Sequence, residues 1–174
     1  MAELARTIRA PLSEYGDRPL VLAATHGSNS AASALLEANT CVDVSFLCTR
    51  GKGTPLMCAA SNGHVSTVQL LLDANAPVHR MWSHFSHPLC TAAESGHVPV
   101  VQLLLNTGAQ VNETDRDGRT PLNRACTYGH APVVALLLQA KANVDICDTV
   151  SASVEGHAAV VALLLQRNEQ GGRV

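Results

Sequence analysis

Histidine and cysteine gather in the middle of the chain, and they are the first residues to ask about chemistry. His84, His87 and Cys90 stand three residues apart, with His79 and His97 nearby. Zinc needs three or four such ligands converging within about 2.0 to 2.3 Å, usually as tight pairs from two half-sites. Neither the tight pairing nor a second half-site is present. His97 has counterparts in His64, His130 and His157, each directly after a glycine, and these are expected to be structural. No metal is assigned. Nucleophilic catalysis finds no better support, because no nucleophile elbow, phosphate loop or HExxH pair accompanies the cysteines and histidines. Asp115 and Asp117 share a polar loop and read as a solvated turn whose side chains cap their own backbone. Arg116, Arg119 and Arg124 lack the interleaved aromatics on which single-stranded bases stack, so no nucleic-acid partner is expected. The chain is read as a non-enzyme without cofactor.

The bulk composition agrees. Of 174 residues, 47% are hydrophobic but only 3% aromatic, so the core must be built from Leu, Val and Ala. Small aliphatics suit thin layers of close-packed helices. A formal net charge of −2 provides no broad field for phosphates or anionic lipid. No apolar run approaches the roughly 18 to 20 residues of a membrane span, and the N-terminus lacks a secretory pattern. Six cysteines without CxxC spacing point to a reducing, intracellular compartment, the cytoplasm first and the nucleus as an alternative.

Self-similarity organises everything else. Thr54-Pro55-Leu56, His87-Pro88-Leu89 and Thr120-Pro121-Leu122 recur every 33 residues. Each is followed by a glycine–histidine pair (63–64, 96–97, 129–130) and then by a leucine triplet (70–72, 103–105, 136–138). Two degenerate copies flank them. Upstream, Arg18-Pro19-Leu20 leads to Gly27 and Leu35-Leu36, with three extra residues placed between Val42 and Thr54. Downstream, Gly156-His157 and Leu163 to Leu165 form a copy shortened by six residues between Asp145 and Glu155.

The residue types say what each unit folds into. Thr54 and Thr120 are good helix N-caps, and proline is tolerated at the next position because the first helical N–H has no internal partner. Glycine supplies the left-handed residue that ends this short helix. A second helix follows with apolar residues at i, i+3 and i+4, as in Val68, Leu71 and Leu72. Helix pairs are expected near 19–26 with 29–38, 55–62 with 65–74, 88–95 with 98–106, and 121–128 with 131–140. The stretch 111–119 is polar and should project as a hairpin-like loop. In the shortened copy, Val150 to Glu155 is expected to be at most a ragged turn that exchanges its amides fast. Its second helix should bury Val161, Leu164 and Leu165.

These motifs resemble ankyrin repeats, whose 33-residue period and T-P-L-H-x-A pattern they follow over roughly residues 18 to 167. The resemblance implies an all-α solenoid of about five helix-turn-helix units with projecting loop hairpins. The units run approximately 18–53, 54–86, 87–119, 120–146 and a degenerate 147–167, between a flanking segment 1–17 and a tail 168–174. It also implies a monomeric, non-catalytic module, an adaptor, scaffold or inhibitor that binds a protein of unknown identity on the concave surface of loop tips and first helices. The alternative is the interaction or substrate-recognition arm of a larger protein, such as a ubiquitin-ligase receptor or a kinase. Carried over position by position, the binding surface includes Glu94, Ser95, Arg116, Asp117, Arg119, Thr127 and Tyr128. Two departures stand out. Met57, Cys90 and Asn123 replace the histidine after Thr-Pro-Leu, so its hydrogen bond to the loop should be lost. His87 replaces a capping threonine, at a cost of about 1 kcal/mol.

One loop breaks the pattern outright. Met81, Trp82 and Phe85 stand where polar residues and glycine are expected. Exposed apolar anchors of this kind make binding hot spots. They are expected either to hold the partner, with Arg116 to Arg119 and Tyr128 as a polar margin, or to fold back over a neighbouring hairpin.

Overall fold

Proline at the first turn and a left-handed residue after the last set the length of most helices. A computed structural model describes residues 19–38, 53–79 and 87–171. Among these residues there are ten helices and no strand. They fall into five pairs: α1 (Pro19–His26) with α2 (Asn29–Glu37), α3 (Pro55–Ser61) with α4 (Val65–Asp73), α5 (Pro88–Glu94) with α6 (Val98–Asn106), α7 (Pro121–Thr127) with α8 (Ala131–Gln139), and α9 (Ile146–Val154) with α10 (Ala158–Gly171). The first four pairs match the expected ranges closely.

Stacking is strictly serial. The first helices form one row, α1 to α3 to α5 to α7 to α9, and the second helices form another. Every substantial helix contact lies within a unit or between neighbours. The core is correspondingly a ribbon rather than a ball. Leu56, Leu89 and Leu122 fill it from the first helices, and Val68, Leu71, Val101, Leu104, Val134, Leu137 and Leu164 from the second. Between them lie small residues, Ala59-Ala60, Ala92-Ala93 and Ala125-Cys126, all buried, which let the first helices approach closely. Cys58, Cys90 and Cys126 are buried in this layer outside any disulfide, small enough to let the helices pack closely.

The caps follow residue type. Thr54 and Thr120 accept hydrogen bonds on Oγ1 from the amides of Met57 (3.3 Å) and Asn123 (3.1 Å). His87 makes no such cap. Its ring is instead only 2% exposed and bonds through Nε2 to the carbonyl of Thr114 at 3.1 Å. The missing cap is therefore replaced by a strut to the following loop.

The fifth unit differs from expectation. α9 is a full nine-residue helix packed on α7, not a ragged turn. The six missing residues come out of the polar hairpin, which contributes little to the core, whereas α9 keeps Ala152 fully buried. In α10 the buried residues are Val160 and Leu164, with Val161 partly covered. Leu165 is 51% exposed, because no further unit covers it among the described residues.

Candidate protein-binding surface

Each of the first four units ends its first helix on a glycine, and the next unit's histidine sits on it. Gly27, Gly63, Gly96 and Gly129 all have φ between +67° and +78°, where L side chains are strained. His64, His97 and His130 do not cap their own helices through the side chain, and His157 is placed like them. Their Nε2 atoms instead reach back to the unit before, bonding to the carbonyls of Thr25, Ser61, Glu94 and Thr127 at 2.9 to 3.1 Å. A Cβ added at any of the four glycines would meet the neighbouring imidazole at 2.5 to 2.7 Å. This ladder fixes the spacing of the first-helix row, and therefore of the surface that row presents.

The hairpin between α6 and α7 is held by a buried carboxylate. Asp115 is 5% exposed, so it is no solvated turn residue. Its Oδ1 accepts from the amides of Asp117 and Arg119, both at 2.9 Å, and Oδ2 accepts from Arg124 Nε at 2.7 Å. Arg124 also donates through Nη2 to Asp115 and to Asp117 Oδ2, and its Nη1 lies 3.9 Å from Glu94 Oε2. Burial alone would lower the Arg124 pKa. The hydrogen bond to Asp115 and the charges of Asp115, Glu94 and Asp117 outweigh burial and raise it above its ordinary value. Arg124 is the cation that ties the hairpin to α7. Two further contacts tie the loop down. The Cys90 thiol lies 3.8 Å from the carbonyl of Glu113 and 4.0 Å from that of Arg119, so the helix-to-loop bond expected to be lost survives there in weaker form. Asn112 Oδ1 accepts from the amide of Asn143, one unit on, at 2.8 Å.

Where the next hairpin would stand there is a hollow. Cys90 of α5 is roofed by the 113–119 loop, but its counterpart Asn123 on α7 has only a short connector ahead of α9. The result is a recess of about 490 Å³. Asp117, Gly118, Arg119, Thr120, Asn123 and Thr127 line one wall, and Asp145, Val150, Val154 and Glu155 the other. Val150 and Val154 follow each other one turn apart on α9 and are 53% and 76% exposed. Asp117, paired with Arg124, and the carboxylates of Asp145 and Glu155 outnumber the one lining arginine, Arg119, and make its rim acidic.

The expected site residues that fall among the described residues divide into three groups. Asp117, Arg119 and Thr127 come together at the recess. Glu94 and Ser95 lie one unit back, Glu94 beside Arg124 and Ser95 with its hydroxyl 3.4 Å from that of Ser61. Tyr128 is exposed and stacks on His130 with ring centroids 6.5 Å apart, and Arg116 is exposed at the hairpin tip. Met81, Trp82 and Phe85 lie outside the described residues, as does His84. Among the described residues no group of three or more His, Cys, Asp or Glu is arranged to hold a metal, and no helix is long and apolar enough to cross a membrane. Sequence reasoning missed Arg124 as the anchor of the hairpin, and Val150 and Val154 as an apolar wall. The deletion itself was the signal for the second.

A search of curated proteins finds no match. A family model described as ankyrin repeats (3 copies) matches residues 4–81, beginning within the segment 1–17. A second, described as ankyrin repeats (many copies), matches residues 89–138. With period, helix pairs and glycine–histidine junctions in agreement, the chain belongs to the ankyrin repeat family.

Proposed function

We propose that this chain is a non-catalytic protein-interaction module that takes a partner protein along its loop tips and first helices. Ankyrin repeats generally mediate protein–protein interaction. The observation that carries the more specific reading is the recess left by the missing hairpin. It pairs an apolar wall, Val150 and Val154, with the acidic rim of Asp117, Asp145 and Glu155. A segment bearing an aliphatic side chain flanked by Lys or Arg is the natural occupant. Glu94, Ser95, Arg116, Arg119 and Tyr128 would form the polar margin toward the aromatic loop. Met81, Trp82 and Phe85 serve there as the apolar anchors, a role that rests on their sequence alone.

The test begins with short peptides selected on the whole protein from a random displayed library. Selected sequences should be basic and aliphatic. Calorimetry should show Val154→Asp weakening them by about 2 kcal/mol or more, with thermal stability unchanged because Val154 is exposed. Peptides that bind Val154→Asp and the parent equally would remove the recess from the site. Trp82→Ala addresses the aromatic loop: an anchor loses affinity by a similar amount, whereas a packing residue loses thermal stability and leaves affinity intact.

A further inference from the structure

Asn62 and Gly63 form the one Asn-Gly pair in the chain, and such a pair carries a reaction of its own. The Gly63 nitrogen, with no Cβ beside it to hinder approach, can attack the side-chain carbonyl carbon of Asn62. Ammonia leaves and a five-membered succinimide forms. Water then opens the ring. Opening at Cγ gives an aspartate; opening at the main-chain carbonyl gives an isoaspartate, whose backbone runs on through the side chain. The other junction glycines follow His26, Ser95, Tyr128 and Glu155, none of which has a side-chain amide that could lose ammonia.

Asn62 is exposed, so water reaches it. The fold nevertheless holds the reacting atoms apart. Asn62 has ψ 2°, which turns the Gly63 nitrogen toward Asn62's own nitrogen and away from Cγ. The carboxamide is tethered, its Nδ2 donating to the Cys58 carbonyl at 2.7 Å. The amides that follow are engaged too, Gly63 with the Ala60 carbonyl at 3.3 Å and His64 with that of Ala59 at 3.0 Å. Over this turn lies the His97 imidazole, bonded through Nε2 to the Ser61 carbonyl at 3.0 Å and packed where a Gly63 Cβ would project. Attack on Cγ therefore requires the last turn of α3 to unwind, and His97 is what holds that turn closed.

We propose that Asn62-Gly63 is a self-modification site, held unreactive by the closed junction and released when His97 leaves Gly63, and that the isoaspartate it forms keeps the junction open. An isoaspartate adds one methylene to the main chain between these two residues. The Gly63 and His64 amides can then no longer both reach their carbonyls in the turn on which His97 rests. An opening that is otherwise reversible becomes permanent at the boundary of the second and third units. This chemistry is independent of the partner segment assigned to the recess.

Whole protein kept in mildly alkaline buffer and sampled by peptide mapping should gain one mass unit at Asn62 as the side-chain amide is exchanged for a carboxyl. The gain should be at least about tenfold slower than in a synthetic peptide of the same sequence, because only the opened fraction reacts. His97→Ser removes the ring from Gly63 and should speed the gain at least about fivefold. His130→Ser loosens the next junction without touching this one and should leave the rate within about twofold. If His97→Ser does not fold, the parent protein in low urea decides, its rate rising in proportion to hydrogen exchange at the His64 amide. Asn62→Asp supplies the charge without the methylene and should keep that amide protected. The isoaspartate form, separated by chromatography, should lose the protection. Equal rates in protein and peptide overturn the proposal, as do equal acceleration by the two histidine variants, a rate indifferent to urea, or intact protection in the isoaspartate form.

Discussion

A single glycine in this chain answers to a residue about thirty positions later. At Gly96, φ is +78° and the ring of His130 lies where a Cβ would project. Gly118 has a similar φ of +72° but nothing within 4 Å. Gly118→Ala should therefore cost only the left-handed strain, about 1 kcal/mol, whereas Gly96→Ala must also displace the imidazole and should cost about 3 kcal/mol. Urea denaturation of both variants checks this; equal losses would mean the histidine moves aside freely. His87 invites the opposite experiment. Threonine there would regain a cap worth about 1 kcal/mol. It would also vacate the volume of a buried ring and leave the Thr114 carbonyl without its donor, together about 2 to 3 kcal/mol. The balance favours histidine, so His87→Thr should lower stability by about 1 to 2 kcal/mol, and a stabilised variant would contradict the strut.

Elements owe their positions to short-range rules, and most of those rules are written in residue types. Proline at the first helical position and glycine just past the end marked the boundaries of α3, α5 and α7 because both act within one turn. Asp115 was not legible in the same way. Its burial depends on a guanidinium nine residues away and on two amides of a loop whose conformation it helps create. Asp115→Ala strands Arg124 beside an unfilled hollow and frees the hairpin, and should cost about 3 kcal/mol. In a double-mutant cycle with Arg124→Met most of that cost should disappear; additivity of the two would show that the pair is not coupled. The fifth unit was legible as a deletion but not as to which element would lose residues. Counting from glycine to glycine locates six missing positions, and only packing reveals that a helix with Ala152 to bury outcompetes a polar loop. The apolar wall of the recess followed from that choice. Trp82 and Phe85 remain a pattern without a described position.

Across the whole molecule, cooperativity should be only as strong as each junction. Among the described residues every substantial helix contact lies within a unit or between neighbours, so stability is close to a sum of unit and interface contributions. Leu104 is fully buried in the middle pair. Leu104→Ala should cost about 3 kcal/mol and concentrate the loss of amide protection in α5 and α6, leaving α1–α4 and α7–α10 less affected. Hydrogen exchange and denaturation followed by two probes would show non-coincident transitions. A single shifted transition with uniform loss of protection would instead mean that the array folds as one indivisible body.

The histidine ladder has one more consequence. Its bonds run from helix start to helix end, and no hairpin residue takes part in them. Loops can therefore lengthen or shorten over generations without disturbing the spacing of the units. Both irregular connectors in this chain are changes of that kind: three residues gained between Val42 and Thr54, and six lost between Asp145 and Glu155. Framework and recognition surface are inherited separately, and a change of binding preference requires only that the genome edit a loop.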